Sequence, residues 1–112
     1  MPAEKIAQLN DRFRKGDPTV SGKSFVTAGI IQLLTEQNIP IAELADLMIA
    51  YSDFTEENDP YGEHDFGAFE MGGEKCFWKI DYFDTAYEMG SDDAADLSKT
   101  RRVLTIMLAE EW

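Results

Sequence analysis

The chain has one cysteine and one histidine in 112 residues, and ten basic residues against twenty-two acidic ones. A single thiol, Cys76, cannot close an internal disulfide, so a disulfide-stapled scaffold is excluded and a reducing cytoplasm is the expected compartment. Cys76 stands in an apolar run beside Phe77 and reads as a small core residue rather than a reactive thiol. A single histidine, His64, leaves no second imidazole for a zinc-type pair. The shortage of Lys and Arg argues against direct binding of nucleic acid or an anionic membrane. No stretch approaches the ~20 apolar residues that a spanning helix needs. The segment Met1-Pro2-Ala3-Glu4-Lys5 has no apolar signal core.

What is present in excess is negative charge, and it is unevenly placed. The formal net charge is −12. Residues 41–96 hold sixteen Asp or Glu and only two Lys, whereas each flank is slightly basic. A one-signed block of this kind attracts cations or basic protein surfaces. The 44% hydrophobic and 12% aromatic content exclude a wholly disordered chain. At this length a single domain over residues 1–112 is expected, with one core and no need of a staple.

Residues 3–15 read as an amphipathic helix, with Ile6, Leu9 and Phe13 at helical spacing and Gly16-Asp17-Pro18 as its stop. Ser24 to Thr27 reads as a strand that Gly29 bends or ends. Ile30 to Leu34 fits strand or helix equally. Pro40 is placed to open a second helix, whose stripe is Ile41, Leu44, Leu47, Met48 and Tyr51. An acidic loop over 52–64 follows, with turn chemistry at Asn58-Asp59-Pro60-Tyr61-Gly62. Phe66 to Met71 and Lys75 to Phe83 read as a hairpin around Gly72-Gly73. Within it Cys76, Trp78, Ile80 and Tyr82 share one face. Residues 84–98 are acidic and irregular. Arg101 to Leu108 reads as a central strand, although its apolar residues also suit a buried helix. The expectation is an α+β fold: a small antiparallel sheet of three or four strands, including the 66–83 hairpin, with two helices packed on one face.

The run Asp53 to Gly67, with its Asn-Asp-Pro-Tyr-Gly-Glu-His-Asp-Phe-Gly core, is the most distinctive in the chain. Together with Phe77 to Tyr82, Arg102 to Leu108, Leu9 to Arg14 and Thr27-Ala28-Gly29, it resembles a family of small proteins from alphaproteobacterial genomes, plasmids and prophages. That family is catalogued only as a domain of unknown function. The resemblance covers nearly the whole chain and implies no activity. It does imply a setting in mobile-element biology, where small acidic proteins block nucleic-acid-handling machinery.

Several constellations invite chemistry. The loop offers Asp53, Glu56, Glu57, Asp59, Glu63, His64 and Asp65, the oxygen-rich set a hard cation needs. Its spacing fails as an EF-hand, because the twelfth position falls on Ala68 rather than a bidentate Glu. His64 between Glu63 and Asp65 has the makings of a general base, but no companion nucleophile is nearby in sequence. A histidine that hydrogen-bonds the turn is the plainer reading. A thiol–imidazole pair of Cys76 and His64 across the hairpin has no local motif behind it. Asp65-Phe66-Gly67 copies the kinase magnesium tripeptide in a chain too short for a kinase. The aromatics Phe77, Trp78, Tyr82 and Phe83 read as core rather than as a base-stacking platform, since Lys75 and Lys79 are their only cations.

The expected function is therefore an acidic protein-binding module that occupies a basic, nucleic-acid-binding surface of another bacterial protein. It would act as a DNA mimic, with a defence nuclease or an interference complex as target, in the manner of an anti-CRISPR inhibitor. The expected contact residues are Asp53, Glu56, Glu57, Asp59, Tyr61, Glu63, His64, Asp65, Asp92, Asp93 and Asp96. No catalytic residue, metal ligand or cofactor is assigned. Two alternatives stand beside it: a small metal-dependent or His-based enzyme built on the 53–65 loop, and a structural homodimeric module without catalysis.

Overall fold

A computed structural model describes residues 2–112. Its elements run α1 (Pro2–Arg14), β1 (Gly22–Val26), α2 (Ala28–Glu36), α3 (Ile41–Ala50), β2 (Phe66–Met71), β3 (Glu74–Phe83) and β4 (Arg101–Leu108), with a short 3-10 turn at Ala109–Glu111. The fold is α+β, three helices with one four-stranded sheet in the order β1-β4-β3-β2. Among the described residues no helix is long and apolar enough to cross a membrane.

The hairpin forms where expected. Gly72 and Gly73 take φ of 61° and 80°, the left-handed pair that a two-residue turn with the right strand twist requires. Phe66 then pairs Lys79, and Met71 pairs Glu74. Cys76, Trp78 and Ile80 alternate inward and are buried. β4 lies antiparallel to β3, Cys76 opposite Leu108 and Tyr82 opposite Arg102. Arg101 to Leu108 is thus a central strand and not a helix, because its two sides are covered by strand partners.

Two expectations need correction. The sheet is mixed, since β1 runs parallel to β4, with Gly22 opposite Arg102 and Val26 opposite Ile106. The pairing joins residues about eighty apart, and nothing in a five-residue strand specifies so distant a partner. There are also three helices rather than two. The ambiguous Ile30–Leu34 run is the middle of α2, where Ile30 and Leu33 are buried three residues apart and Ile31 is exposed. Thr27 caps it, its hydroxyl accepting from the Ile30 N–H at 3.3 Å. Gly29 therefore sits in the first turn of a helix and does not end a strand.

The core joins Ile30 and Leu33 of α2 and Leu44 and Met48 of α3 to Met71, Cys76, Trp78, Ile80, Leu104 and Ile106. These strand residues alternate, so they share one face of the sheet. From α1, Phe13 packs against the same cluster.

Candidate functional site

The polar residues of the chain meet at one end of the sheet, where β3 finishes and β4 begins. Asn10 of α1 is fully buried there. Its amide donates to the Glu63 carbonyl at 2.9 Å and to the Tyr82 hydroxyl at 2.8 Å. Its oxygen accepts from Arg102 Nε at 2.6 Å. Arg102, itself fully buried, also donates through Nη2 to the Ala94 carbonyl at 2.6 Å. The Tyr82 hydroxyl donates onward to Glu63 Oε1 at 3.1 Å. Asn10 thus ties the 52–65 loop to the strands, and Arg102, bound to it, ties the 84–96 segment. Burial lowers the Arg102 pKa and pushes the Tyr82 phenol well up. Among the described residues no carboxylate pairs with Arg102, whose Nη1 has no partner; the Tyr82 ring lies 5.3 Å from its guanidinium carbon.

A second cluster lies beside the first. His64 Nδ1 faces both oxygens of Asp11 at 3.0 Å, and its Nε2 stands 3.7 Å from Asp59 Oδ2. The imidazole stacks on Phe54 with centroids 3.8 Å apart and planes within 1°. Asp11 also takes Arg14 Nη1 at 3.0 Å. Arg14 is buried, and its other donors cap the end of α3 through the carbonyls of Met48 and Tyr51. Its guanidinium rests against the ring of Trp78 at 5.1 Å and that of Phe54 at 5.4 Å.

The loop itself is built by its own side chains. Asn58 exchanges hydrogen bonds with Thr55 and donates to the Asp53 carbonyl. Asp59, 9% exposed, accepts from the backbone of Glu63 and His64 at 3.0 and 3.1 Å. His64 sits at a φ of 56°, the left-handed region that Asp59 and Asp11 hold it in.

The expected contact residues accordingly separate. Asp53, Glu56, Glu57, Tyr61, Asp92 and Asp93 are exposed, Tyr61 at 81%. Phe54 pins the loop, packing against Tyr51 and Trp78. Asp59 is buried inside the turn, and Glu63, His64, Asp65 and Asp96 are half-buried. Glu63 does not simply face water, since it holds Tyr82. Asp65 has its pKa raised, first by burial and then by Glu63, Asp59 and Asp81. Asp96 is lowered, chiefly by the Ser98 hydroxyl, and Asp84 by the Glu88 N–H, so both serve as turn anchors.

The arrangement offers little to a substrate. Both nitrogens of His64 face carboxylates, one ring face is covered by Phe54, and the principal clefts are lined by other residues. Cys76 belongs to the core, its Sγ on the Glu74 carbonyl, and burial raises its pKa. Among the described residues no group of three His, Cys, Asp or Glu is placed to hold a metal ion. The sequence does not mark Asn10, Asp11, Arg14 and Tyr82 as partners of the loop, or Arg102 as a partner of the 84–96 segment. The usable signal was Asn-Asp-x-x-Arg on α1, polar residues one turn apart on a helix that otherwise buries Ile6 and Leu9.

No curated protein and no solved structure matched the chain. A family model matches residues 26–111, well over half of the sequence and the whole region from the end of β1 to the 3-10 turn. The chain therefore belongs to DUF3768, a family described as protein of unknown function.

Proposed function

We propose that the protein is an acidic binding module whose carboxylates occupy a basic, nucleic-acid-binding surface on another protein. One observation carries this reading. The Asn10–Tyr82–Arg102 node ties both acidic segments to the same end of one sheet, so their charges are displayed from a fixed frame. A frame that is already ordered loses little conformational freedom on docking. Asp53, Glu56, Glu57, Asp92 and Asp93 supply the field, and the exposed ring of Tyr61 supplies an apolar anchor among them. A DNA mimic acting on a nucleic-acid-handling protein, including an interference complex, uses the same chemistry: carboxylates standing where phosphates would lie in a Lys/Arg groove.

A single exposed ion pair contributes only about 0–1 kcal/mol, so several must act together. The test is a triple variant, Asp53→Asn with Glu56→Gln and Glu57→Gln, at side chains the fold does not use. Partners are captured from host lysate with the parent protein at low salt, identified by mass spectrometry and titrated against both forms. The triple variant should melt like the parent and associate at least about tenfold more slowly, with a shallower salt dependence. Equal association rates at low salt would refute the reading.

A further inference from the structure

β1 is the last strand on its side of the sheet. Thr27 N–H bonds the Ile106 carbonyl and Arg102 N–H bonds the Ser21 carbonyl, each at 3.1 Å. Odd residues of this stretch therefore bond inward to β4, and the peptide groups of Gly22, Ser24 and Val26 face outward. The strand has no proline, and its one charge, Lys23, lies over the Tyr87 ring at 4.1 Å. Of the usual guards against strand addition, the edge keeps only its short length and this one lysine. Beside it runs an apolar cleft of about 250 Å³, lined by Ser24 and Val26 of β1 and by Ile41, Ala45 and Ile49 of α3. Ile41 is 61% exposed and Ile49 49%, while Ile31 and, on the other face of β1, Phe25 are each 53% exposed.

We propose that this edge docks a second copy of the chain, as a two-fold dimer in which β1 pairs antiparallel with β1 of the partner subunit. The proposal is independent of the acidic-module reading. The pattern favours a copy of itself because both layers are self-complementary about one axis. In the strand, Ser24 meets Ser24 of the partner subunit through their outward peptide groups. Gly22 then meets Val26 of the partner subunit, and Lys23 meets Phe25 of the partner subunit rather than another lysine. In the helix, Ile41, Ala45 and Ile49 fall four residues apart on one side. The axis passes the small Ala45 and sets Ile41 against Ile49 of the partner subunit. Ser24 and Ala45 line the same cleft, so one axis serves both layers.

The charge of the cleft favours a second copy. The cleft is lined by Lys15 and Arg14 and by no carboxylate, in a chain of net charge −12. At roughly 200 Å² for a whole large side chain, the exposed parts of Phe25, Ile31, Ile41 and Ile49 supply on the order of 400 Å² per copy. That is about half of the ~800 Å² per partner of a standard interface, before any backbone is counted.

Sedimentation equilibrium of the full chain at ~100 μM and moderate salt should give twice the chain mass. Ala45→Arg, at an exposed helical position, should keep the parent's circular dichroism and weaken the dimer by roughly thirtyfold or more. Ser24→Cys should cross-link under mild oxidation, because Cα atoms of a hydrogen-bonded antiparallel pair lie about 5.5 Å apart. Lys23→Cys should not cross-link, and the buried Cys76 does not compete. A monomeric parent, a dimer indifferent to Ala45→Arg, or a Ser24→Cys dimer that fails to cross-link overturns the proposal.

Discussion

Two buried arginines are accommodated in different ways. Arg14 has Asp11 as counter-charge and three aromatic rings around it. Arg102 has neutral oxygens only, from Asn10 and Ala94, with the Tyr82 ring beside it. Removing Asn10 therefore leaves a buried guanidinium with one neutral partner, and strands the Glu63 carbonyl as well. Asn10→Ala should cost about 3 kcal/mol in a urea unfolding titration. A cost below about 1 kcal/mol would mean that water replaces the amide. Asp65 is the opposite case, a carboxyl whose charge the fold resists. Its folded pKa lies above the ordinary 3.8, so the folded chain holds this proton to higher pH than the unfolded chain does. The resulting stabilisation is complete below the ordinary value and is lost as pH rises through the folded one. Asp65→Asn should then raise the melting temperature at pH 7 and give no gain near pH 3. A variant less stable at pH 7 would show that the carboxylate makes a contact worth more than its burial costs.

Among the elements, α2 shows how a helix start is completed from a distance. It has no acidic residue in its first turn. Glu111, from the far end of the chain, accepts from the Thr27 hydroxyl at 2.6 Å and from the Gly29 N–H at 3.2 Å. A side chain on Gly29 would push that carboxylate away from the helix start it completes. The Glu111 pKa is lowered, first by the Thr27 hydroxyl, so its stabilisation is present above 4.5 and lost as pH falls through the folded value. Glu111→Gln should cost about 0.5 kcal/mol at neutral pH and low salt, and the two proteins should converge in acid. The 52–65 loop is an element in its own right. The amides of Glu63 and His64, bound to the Asp59 carboxylate, should exchange hydrogen far more slowly than those of Glu56 and Glu57, and Asp59→Ala should erase the difference. Its turn was legible in Asn58-Asp59-Pro60. That Asp59 is buried was not, because the carboxylate is drawn inward by two amides and by His64, itself held by α1. Likewise α1 and the hairpin were legible from periodicity and turn residues, while α2 and β4 were ambiguous because a short apolar run fits either period.

Over the whole molecule the net charge of −12 opposes compaction. At fixed chain concentration the melting temperature should climb between about 0.01 and 0.1 M salt, as the screening length falls from about 30 to about 10 Å. A flat or falling curve would indicate that the few cations already neutralise the field where it is strongest.

The amino-acid order settles what depends on near neighbours. Strand alternation in β3, the Gly72-Gly73 turn, the helical stripe of α1 and the crowding of charge into residues 41–96 all follow from residues a few positions apart. Folding in three dimensions settles which carboxylates face water and which are spent inside. It also settles that β1 lies parallel to β4, that Arg14 closes α3 and that Asn10 reaches Arg102 across ninety-two positions. Such choices belong to non-local contacts, whose energy exists only once distant segments have been brought together, and no local pattern encodes it.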